Sequence, residues 1–346
     1  MDNLNKMKLT SKWFSSKNMG PVIALLVVFF GSSIFSTGFL EIKMIDGHLY
    51  GSIIDILHRS MPTALIALGM AVVIGTGGID LSVGAITAIS GAVMATLLTQ
   101  AGLSPATILV FALLSGVACG LWNGLLVAYI GMQPIVATLI LMVAGRGIAQ
   151  MITGGKIVTF HSEFFEFLGN GSFMLLPTRV WLLIAVVSVV IFIMRKTALG
   201  LFFEAVGVNA NASRLVGIDS KKLIVSAYIF SGICSALAGI ILASDIRGAD
   251  ANNSGLWLEL DGILAVVIAG GSLAGGRLYL GLTLIGVVII QTLTTAILTS
   301  GIPAQYNLIV KATIILLVLL IQSPTTKNKI KTIWNNRKKS KKRSEQ

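Results

Sequence analysis

The loop GLFFEAVGVNANASRLVGID, from Gly200 to Asp219, separates two apolar stretches and sets how the remainder of the chain is interpreted. Pairs of basic residues flank it at positions 195–196 and 221–222. Lys and Arg accumulate in the cytoplasmic loops of membrane proteins. The flanks therefore predict that this loop lies at the cytoplasmic face of a membrane.

A compact helix signal lies inside this loop. Asn209 is a favourable N-cap, and Gly217 suits the left-handed conformation that closes a helix. Leu215, Val216 and Ile218 then form an apolar knob on an otherwise polar loop. Two interpretations remain open: the knob docks a second protein at the inner face, or the segment is an amphipathic helix lying on lipid headgroups.

The composition is that of an integral membrane protein. The 346 residues are 55% hydrophobic and only 12% charged, and the mean hydropathy is +0.89. A soluble domain carries about 25% charged residues. Apolar runs of about 20 residues favour helices over a barrel, and 37 glycines suit closely packed transmembrane helices. The predicted fold class is all-α integral membrane.

About ten spans fit this pattern, and they predict a transmembrane domain over residues 21–322. An even number of spans puts the tails, 1–20 and 323–346, on the same side, and the basic residues of the N-terminal tail make that side cytoplasmic. The predicted spans are 21–38, 60–77, 80–100, 104–130, 134–153, 179–195, 222–244, 262–274, 278–299 and 304–322.

The net charge of +12 is concentrated near the C-terminus, where nine of the 26 Lys and Arg lie between Lys327 and Arg343. Such a tail favours anchoring to anionic membrane lipid. Nucleic-acid binding is disfavoured, because the tail has a single aromatic residue, Trp334, and no recognisable binding fold.

Two spans are interrupted by glycines. The second, taken to run from Pro62 to Thr76, is short and ends in GTGGIDLSVG, where Asp80 can cap the next helix by accepting from Ser82 or Val83. The eighth ends in AGGSLAGGR, residues 269–277. A broken helix is tolerated where its free backbone groups face protein or a wet cavity. We expect a pathway element, with a tight hairpin at the inner face as the alternative.

Polar side chains inside spans are costly and usually face the interior of a bundle. Each of them could line a pathway or have only a structural role; Arg146 and Lys311 lie about two turns from the outer surface, within reach of snorkelling. The substrate-pathway candidates are Asp80, Ser82, Asn123, Gln133, Arg146 and Gln150, and further polar span residues are Gln291, Asn307 and Lys311. Arg146 and Gln150 are one turn apart and share a helix face.

Several classes of function are disfavoured. The sequence has no G-x-x-x-x-G-K-[ST] motif, so it predicts no ATPase activity of its own. The three histidines, at positions 48, 58 and 161, form neither a metal-ligand cluster nor a catalytic triad. We therefore expect no metal, no bound cofactor and no enzymatic activity. No chain of carboxylates runs through the spans, as a proton-driven carrier generally needs.

Three motifs, in order, resemble the ribose/galactose-type family of ABC sugar-importer permeases. They are TGGIDLSVGAI (76–86), EAVGVNANASRLVGI (204–218) and LAVVIAGGSLAGGR (264–277). The resemblance covers roughly residues 50–322. Three further stretches, at 51–59, 133–150 and 246–263, are similar to permeases of galactofuranose importers.

This resemblance implies a vitamin-B12-importer-like (type II) permease bundle in the bacterial inner membrane. The implied partners are a second permease (a related chain or a second copy), a cytoplasmic ABC ATPase that binds ATP-Mg, and a periplasmic sugar-binding protein. It makes 196–221 a coupling loop, whose helix would sit in a groove of the ATPase. The implied coupling residues are Glu204, Asn209, Ala212, Arg214, Leu215 and Gly217.

The sequence therefore predicts a passive translocation subunit for a monosaccharide, with galactofuranose favoured and other pentoses or hexoses as alternatives. A second hypothesis is an ion-coupled secondary carrier or a channel that works alone. A third, more remote, is a membrane enzyme acting on lipid-linked sugar.

Overall fold

The computed structural model describes residues 19–35, 38–45, 48–100, 102–301, 303 and 306–322. Most of these residues are helical. The helices are α1 Met19–Phe35, α2 Ser52–Gly75, α3 Val83–Gln100, α4 Pro105–Leu125, α5 Pro134–Thr153, α6 Glu163–Asn170, α7 Thr178–Lys196, α8 Leu199–Val208, α9 Ala210–Leu215, α10 Ser220–Asp245, α11 Leu258–Ile268, α12 Leu280–Thr299 and α13 Asn307–Gln322. A π-helical turn, Leu126–Ile130, extends α4.

In the part of the chain that the structure describes, six short strands pair in three antiparallel ribbons: β1 Lys43–Ile45 with β2 His48–Tyr50, β3 Val158–Thr159 with β6 Gly248–Ala249, and β4 Ser172–Phe173 with β5 Leu176–Pro177. All six strands lie in connections between long helices, and these connections are at the same end of the bundle. We call this end of the bundle the strand face.

The opposite end collects the glycine-rich connections. The backbone N–H of Gly276 donates to the carbonyl of Gly75 at 3.1 Å, and Gly207 lies directly against both. We call this end the glycine face. Since successive long helices alternate between the two faces, the chain crosses the bundle repeatedly, as a multi-pass membrane protein does.

Ten of the helices correspond to the ten predicted spans, which confirms the all-α membrane class. Within the described residues, seven helices are long and apolar enough to cross a bilayer. The predicted N-terminal and C-terminal tails fall outside the described residues, except for Met19 and Gly20. The boundaries of the predicted domain therefore stay a prediction.

The second span is longer than the sequence suggested. Helix α2 has 24 residues and continues through Pro62, so it is about 36 Å long at 1.5 Å per residue and can cross the whole bilayer. The expectation of a short second span was wrong, because the polar residues His58 and Arg59 belong to the first turns of the helix and not to a loop.

Helix α11, in contrast, is only half a span. Its 11 residues measure about 16 Å, against about 30 Å of hydrocarbon. The predicted interruption of the eighth span is confirmed, and the helix ends at Ile268, just before the glycine-rich stretch. It begins four residues earlier than predicted, at Leu258. The segment before it crosses the remaining part of the hydrocarbon thickness.

Helix α10 is the centre of the bundle and packs closely on α4 through small residues. A methyl group at Gly116 or Gly120 of α4 would overlap the backbone of α10, and one at Gly232 of α10 would overlap the carbonyl of Gly116. In a bilayer, where lipid is as apolar as the side chains, such close backbone approach is what favours helix association. These two helices therefore form the scaffold on which the polar groups are placed.

Candidate functional site

The segment between β6 and α11, residues 250–257, folds from the strand face down into the bundle. An added Cβ at Gly84, in the first turn of α3, would lie 2.5 Å from the carbonyl oxygen of Gly255. The hydroxyl of Thr87, one turn further along α3, donates to the carbonyl of Ser235 in the middle of α10 at 3.2 Å. The tip of this segment therefore lies at the level of the middle of α10. We call residues 250–257 the re-entrant segment.

Two side chains of α5 hold the re-entrant segment. The Nη1 atom of Arg146 donates to the carbonyl oxygens of Ala251, at 3.0 Å, and Ser254, at 2.6 Å. One turn further on, Gln150 donates to Oδ1 of Asn252 at 2.7 Å. The sequence placed Arg146 and Gln150 on one helix face, and the structure brings both against this segment.

The re-entrant segment is shaped by its own carboxylate. One oxygen of Asp250 accepts the backbone N–H groups of Asn252, at 3.0 Å, and Asn253, at 3.1 Å. The other oxygen accepts from the side-chain amide of Asn253 at 2.8 Å. Such local side-chain to backbone bonds stabilise a turn in preference to helix or strand. The turn fixes the direction of the side-chain amides of Asn252 and Asn253.

The side chains of Gln150, Asn252, Asn253 and Trp257 are exposed on the surface of the single chain. We call them the polar edge. Gln150 lies about 5 Å below the strand-face end of α5, at 1.5 Å per residue, and the segment descends from there. Exposed amides below the end of a spanning helix face water or another protein and not lipid chains.

A second polar cluster is completely enclosed. One oxygen of Asp80 accepts from the backbone N–H of Ser82 at 3.0 Å and from its hydroxyl at 2.6 Å, and the other accepts from Ser231 at 2.8 Å. The amide of Asn123 donates to the Ser82 hydroxyl at 2.8 Å. The predicted cap on Ser82 is confirmed. Asp80, Ser82 and Asn123 have no exposed surface, and in this conformation they join α3, α4 and α10.

The remaining polar span residues lie elsewhere. Gln133 precedes α5 at the glycine face, about 20 Å along the helix from Arg146 at 1.5 Å per residue. Lys311 pairs with Asp261 of α11 at 2.7 Å, and Gln291 is buried in α12. The side chain of Asn307 lies outside the described residues. The predicted pathway residues therefore occupy three separate places.

At the glycine face, the loop 197–219 forms two short helices, α8 and α9. The side chain of Asn209 accepts from the backbone N–H groups of Asn211 and Ala212 at 3.0 Å each, as the predicted N-cap requires. Gly217 has φ +87°, as the predicted closing residue requires. The side chains of Leu215 and Val216 are 89% and 75% exposed, so α9 presents an apolar tip.

Not all of the predicted coupling residues point outward. Ala212 is exposed, like Leu215. Arg214 is also exposed, and its Nε atom donates to the Ser220 hydroxyl at 2.7 Å. Glu204 turns into the bundle, where its carboxylate accepts the backbone N–H of Leu278 at 2.8 Å. This contact links α8 to the connection between α11 and α12.

Residues 52–319 match the protein family described as the branched-chain amino acid transport system, permease component. This match covers most of the chain. The chain belongs to this family. The permease is accordingly a transport protein and not an enzyme.

Individual relatives transport sugars, according to their names. The permease is 52% identical to the galactofuranose transporter permease protein YtfT of Escherichia coli K12, over 88% of this chain and 89% of that protein. It is 35% identical to the fructose import permease protein FruF of Bifidobacterium longum, over 92% and 90% of the two chains. It is 34% identical to the ribose import permease protein RbsC of E. coli K12, over 91% and 95%. The resemblance noted from the three motifs is confirmed.

No solved structure gives a significant match to the permease. The vitamin-B12-importer-like arrangement of its helices therefore stays a prediction.

The re-entrant segment was the part of the site that sequence reasoning missed. None of its residues was among the predicted pathway residues. One signal was available: Arg146 and Gln150 lie in an apolar helix and need partners, and the stretch Asp250–Ser254 is rich in groups that can bind them. Only the three-dimensional arrangement joins the two.

Proposed function

We propose that this permease is the transmembrane subunit of an ATP-driven importer for a monosaccharide, with galactofuranose as the favoured substrate. The identity of 52% with a galactofuranose transporter permease over nearly the whole chain carries the substrate assignment. An ABC ATPase that binds ATP-Mg and a substrate-binding protein complete such an importer. Other pentoses and hexoses are the second choice, since fructose and ribose permeases are also relatives.

The polar edge is the proposed wall of the sugar path. A neutral sugar offers hydroxyl groups, which are recognised by hydrogen bonds and by stacking on an aromatic ring. The amides of Gln150, Asn252 and Asn253 supply donors and acceptors, and Trp257 supplies a ring. Arg146 acts indirectly, since it holds the re-entrant segment in position.

A second permease, related or identical, would cover this edge. In a single chain the edge is open to the side of the bundle, where lipid would leave the remaining donors and acceptors of its amides without partners. Two permeases placed edge to edge would enclose a wet path between them. Asp80, Ser82 and Asn123 then act as a brace between helices.

The exposed tip of α9 is the proposed contact with the ATPase. Leu215 and Val216 present apolar surface beyond a capped helix, and a partner groove would bury it. In this arrangement the glycine face and both termini are cytoplasmic, the strand face is periplasmic, and the basic tail lies near anionic lipid of the inner membrane.

Reconstitution tests the proposal. The permease is placed in liposomes with its co-purifying ATPase and binding protein, and uptake of labelled galactofuranose is measured with galactopyranose, ribose and fructose as competitors. We expect uptake only with ATP and all components, and strongest competition by galactofuranose. Uptake by the permease alone, driven by an ion gradient, would refute the proposal in favour of a secondary carrier.

A further inference from the structure

Three backbone segments from different parts of the chain meet at the glycine face without intervening side chains. Gly75 ends α2, Gly207 lies in the last turn of α8, and Gly276 lies in the connection 269–279 between α11 and α12. The N–H of Gly276 donates to the carbonyl of Gly75 at 3.1 Å. A methyl group at Gly207 would overlap that carbonyl and lie 2.7 Å from the nitrogen of Gly276. We call these three residues the glycine joint.

Two further contacts lock the joint. The carboxylate of Glu204, one turn before Gly207, accepts the N–H of Leu278 at 2.8 Å. The side chain of Leu278 in turn packs against Gly75, where an added Cβ would overlap it. Helix α8 is therefore fixed to both neighbouring segments, by direct packing and by a charge-assisted hydrogen bond.

From the joint, two segments of the chain lead to the polar edge. The first is the connection from Gly276 back to Ile268 followed by helix α11, which extends about 16 Å at 1.5 Å per residue and whose first residue, Leu258, directly follows Trp257. The second element is the turn after Gly75, which leads through the enclosed Asp80 cluster to Gly84, against Gly255. Both parts of the chain that support the re-entrant segment are therefore connected to the joint.

We propose that the glycine joint is the positioning element that transmits a displacement of α8 to the polar edge. This inference rests on the proposed function, because it assumes that a partner ATPase moves α8 and α9. Packed elements of this kind move as units and do not deform continuously. A shift of α8 then moves α11 and the α2–α3 turn together, and it alters the polar edge without any direct contact.

The test is Gly207→Ala in the complete importer, with Gly281→Ala as the matched control. Gly281 lies in the first turn of α12 at the same face, and an added Cβ there meets nothing within 4 Å. ATP-dependent uptake, ATP hydrolysis and complex assembly are measured together. For Gly207→Ala we expect assembly and hydrolysis to persist while uptake per ATP falls by about 2- to 30-fold, the usual range for altered coupling. Gly281→Ala is expected to match the parent.

A second readout follows the polar edge itself. Leu256→Cys, at an exposed position of the re-entrant segment, is labelled with a thiol reagent with and without ATP, in a background where both native cysteines are replaced by Ala. We expect the labelling rate to change with ATP in the parent and in Gly281→Ala, and not in Gly207→Ala. An unchanged ATP response in Gly207→Ala, with normal uptake per ATP, would overturn the inference.

A milder pair of variants covers the case in which Gly207→Ala does not fold. Glu204→Gln keeps an oxygen that can accept the N–H of Leu278, whereas Glu204→Ala removes it. We expect the Ala variant to lose uptake per ATP and the Gln variant to recover most of it; equal coupling in both would contradict the joint. Absence of ATP-driven uptake in the parent importer would instead refute the proposed function.

Discussion

Replacing Arg146 by Ala should release the re-entrant segment from α5. The substitution removes two hydrogen bonds from a charged donor, to Ala251 and Ser254. Such bonds contribute about 1.5–3 kcal/mol each in soluble proteins, but polar contacts in membrane proteins average about 0.6 kcal/mol. Since Arg146 is only partly buried, we expect a loss of about 1–2 kcal/mol, which raises the open population about 5- to 30-fold.

The opening can be measured at a position that is buried when the segment is docked. Ala251 is 2% exposed, so Ala251→Cys reacts with a maleimide only when the segment opens. In a background without Cys119 and Cys234, the labelling rate should rise about 5- to 30-fold in Arg146→Ala, in proportion to the open population. Arg146→Lys keeps the charge, but its ammonium reaches less far from α5 than a guanidinium, so it should give an intermediate rate.

A matched control is available on the same helix. An added Cβ at Gly147 meets nothing within 4 Å, so Gly147→Ala should leave the labelling rate unchanged. If Arg146→Ala labels no faster than Gly147→Ala, the segment is held by other contacts and the role assigned to Arg146 is refuted.

Three further predictions concern the scaffold and the coupling loop. Gly217→Val places a β-branched residue at φ +87°, at a cost of about 1–2 kcal/mol, so ATPase binding and uptake should both fall; wild-type values for both would contradict the role of α9. Ser231→Ala removes one hydrogen bond from Asp80, worth about 1.5–3 kcal/mol, and should lower the melting temperature in detergent by several degrees; an unchanged melting temperature would show that the cluster is no brace. Gly232→Leu, which intrudes on the backbone of Gly116, should abolish monodisperse elution in size-exclusion chromatography; a normal profile would contradict the close packing of α4 on α10.

The sequence predicted the helices well where one local rule decides the outcome. Long apolar runs marked the spans, Asn209 and Gly217 marked the two ends of α9, and Asp80 was recognised as a cap for the start of α3. The caps depend on neighbours within about a turn of helix and the spans on runs of about 20 residues, and a sequence displays both directly.

The sequence failed where the outcome depends on contacts between distant segments. The first ten residues of α2 were not recognised as part of the span, because polar residues lie near Pro62. The cost of placing these polar side chains in a helix is offset by the nearby end of the helix and by neighbouring residues. Glu204 was predicted to be a coupling residue, but its contact with Leu278, 74 residues away along the chain, could not be predicted. The re-entrant segment could not be predicted from its own residues, because its depth is set by Gly84 and Arg146 of other helices.

The central claim is that a partner motor on the cytoplasmic side drives this permease through the tip of α9. Leu215→Cys tests it most directly, because that side chain is 89% exposed, whereas Ser213 in the same helix is buried. We predict that an impermeant thiol reagent labels Leu215→Cys in inside-out vesicles and not in intact cells, and that bound ATPase blocks the labelling. Labelling from the outside of intact cells, or no protection by the ATPase, would contradict the account.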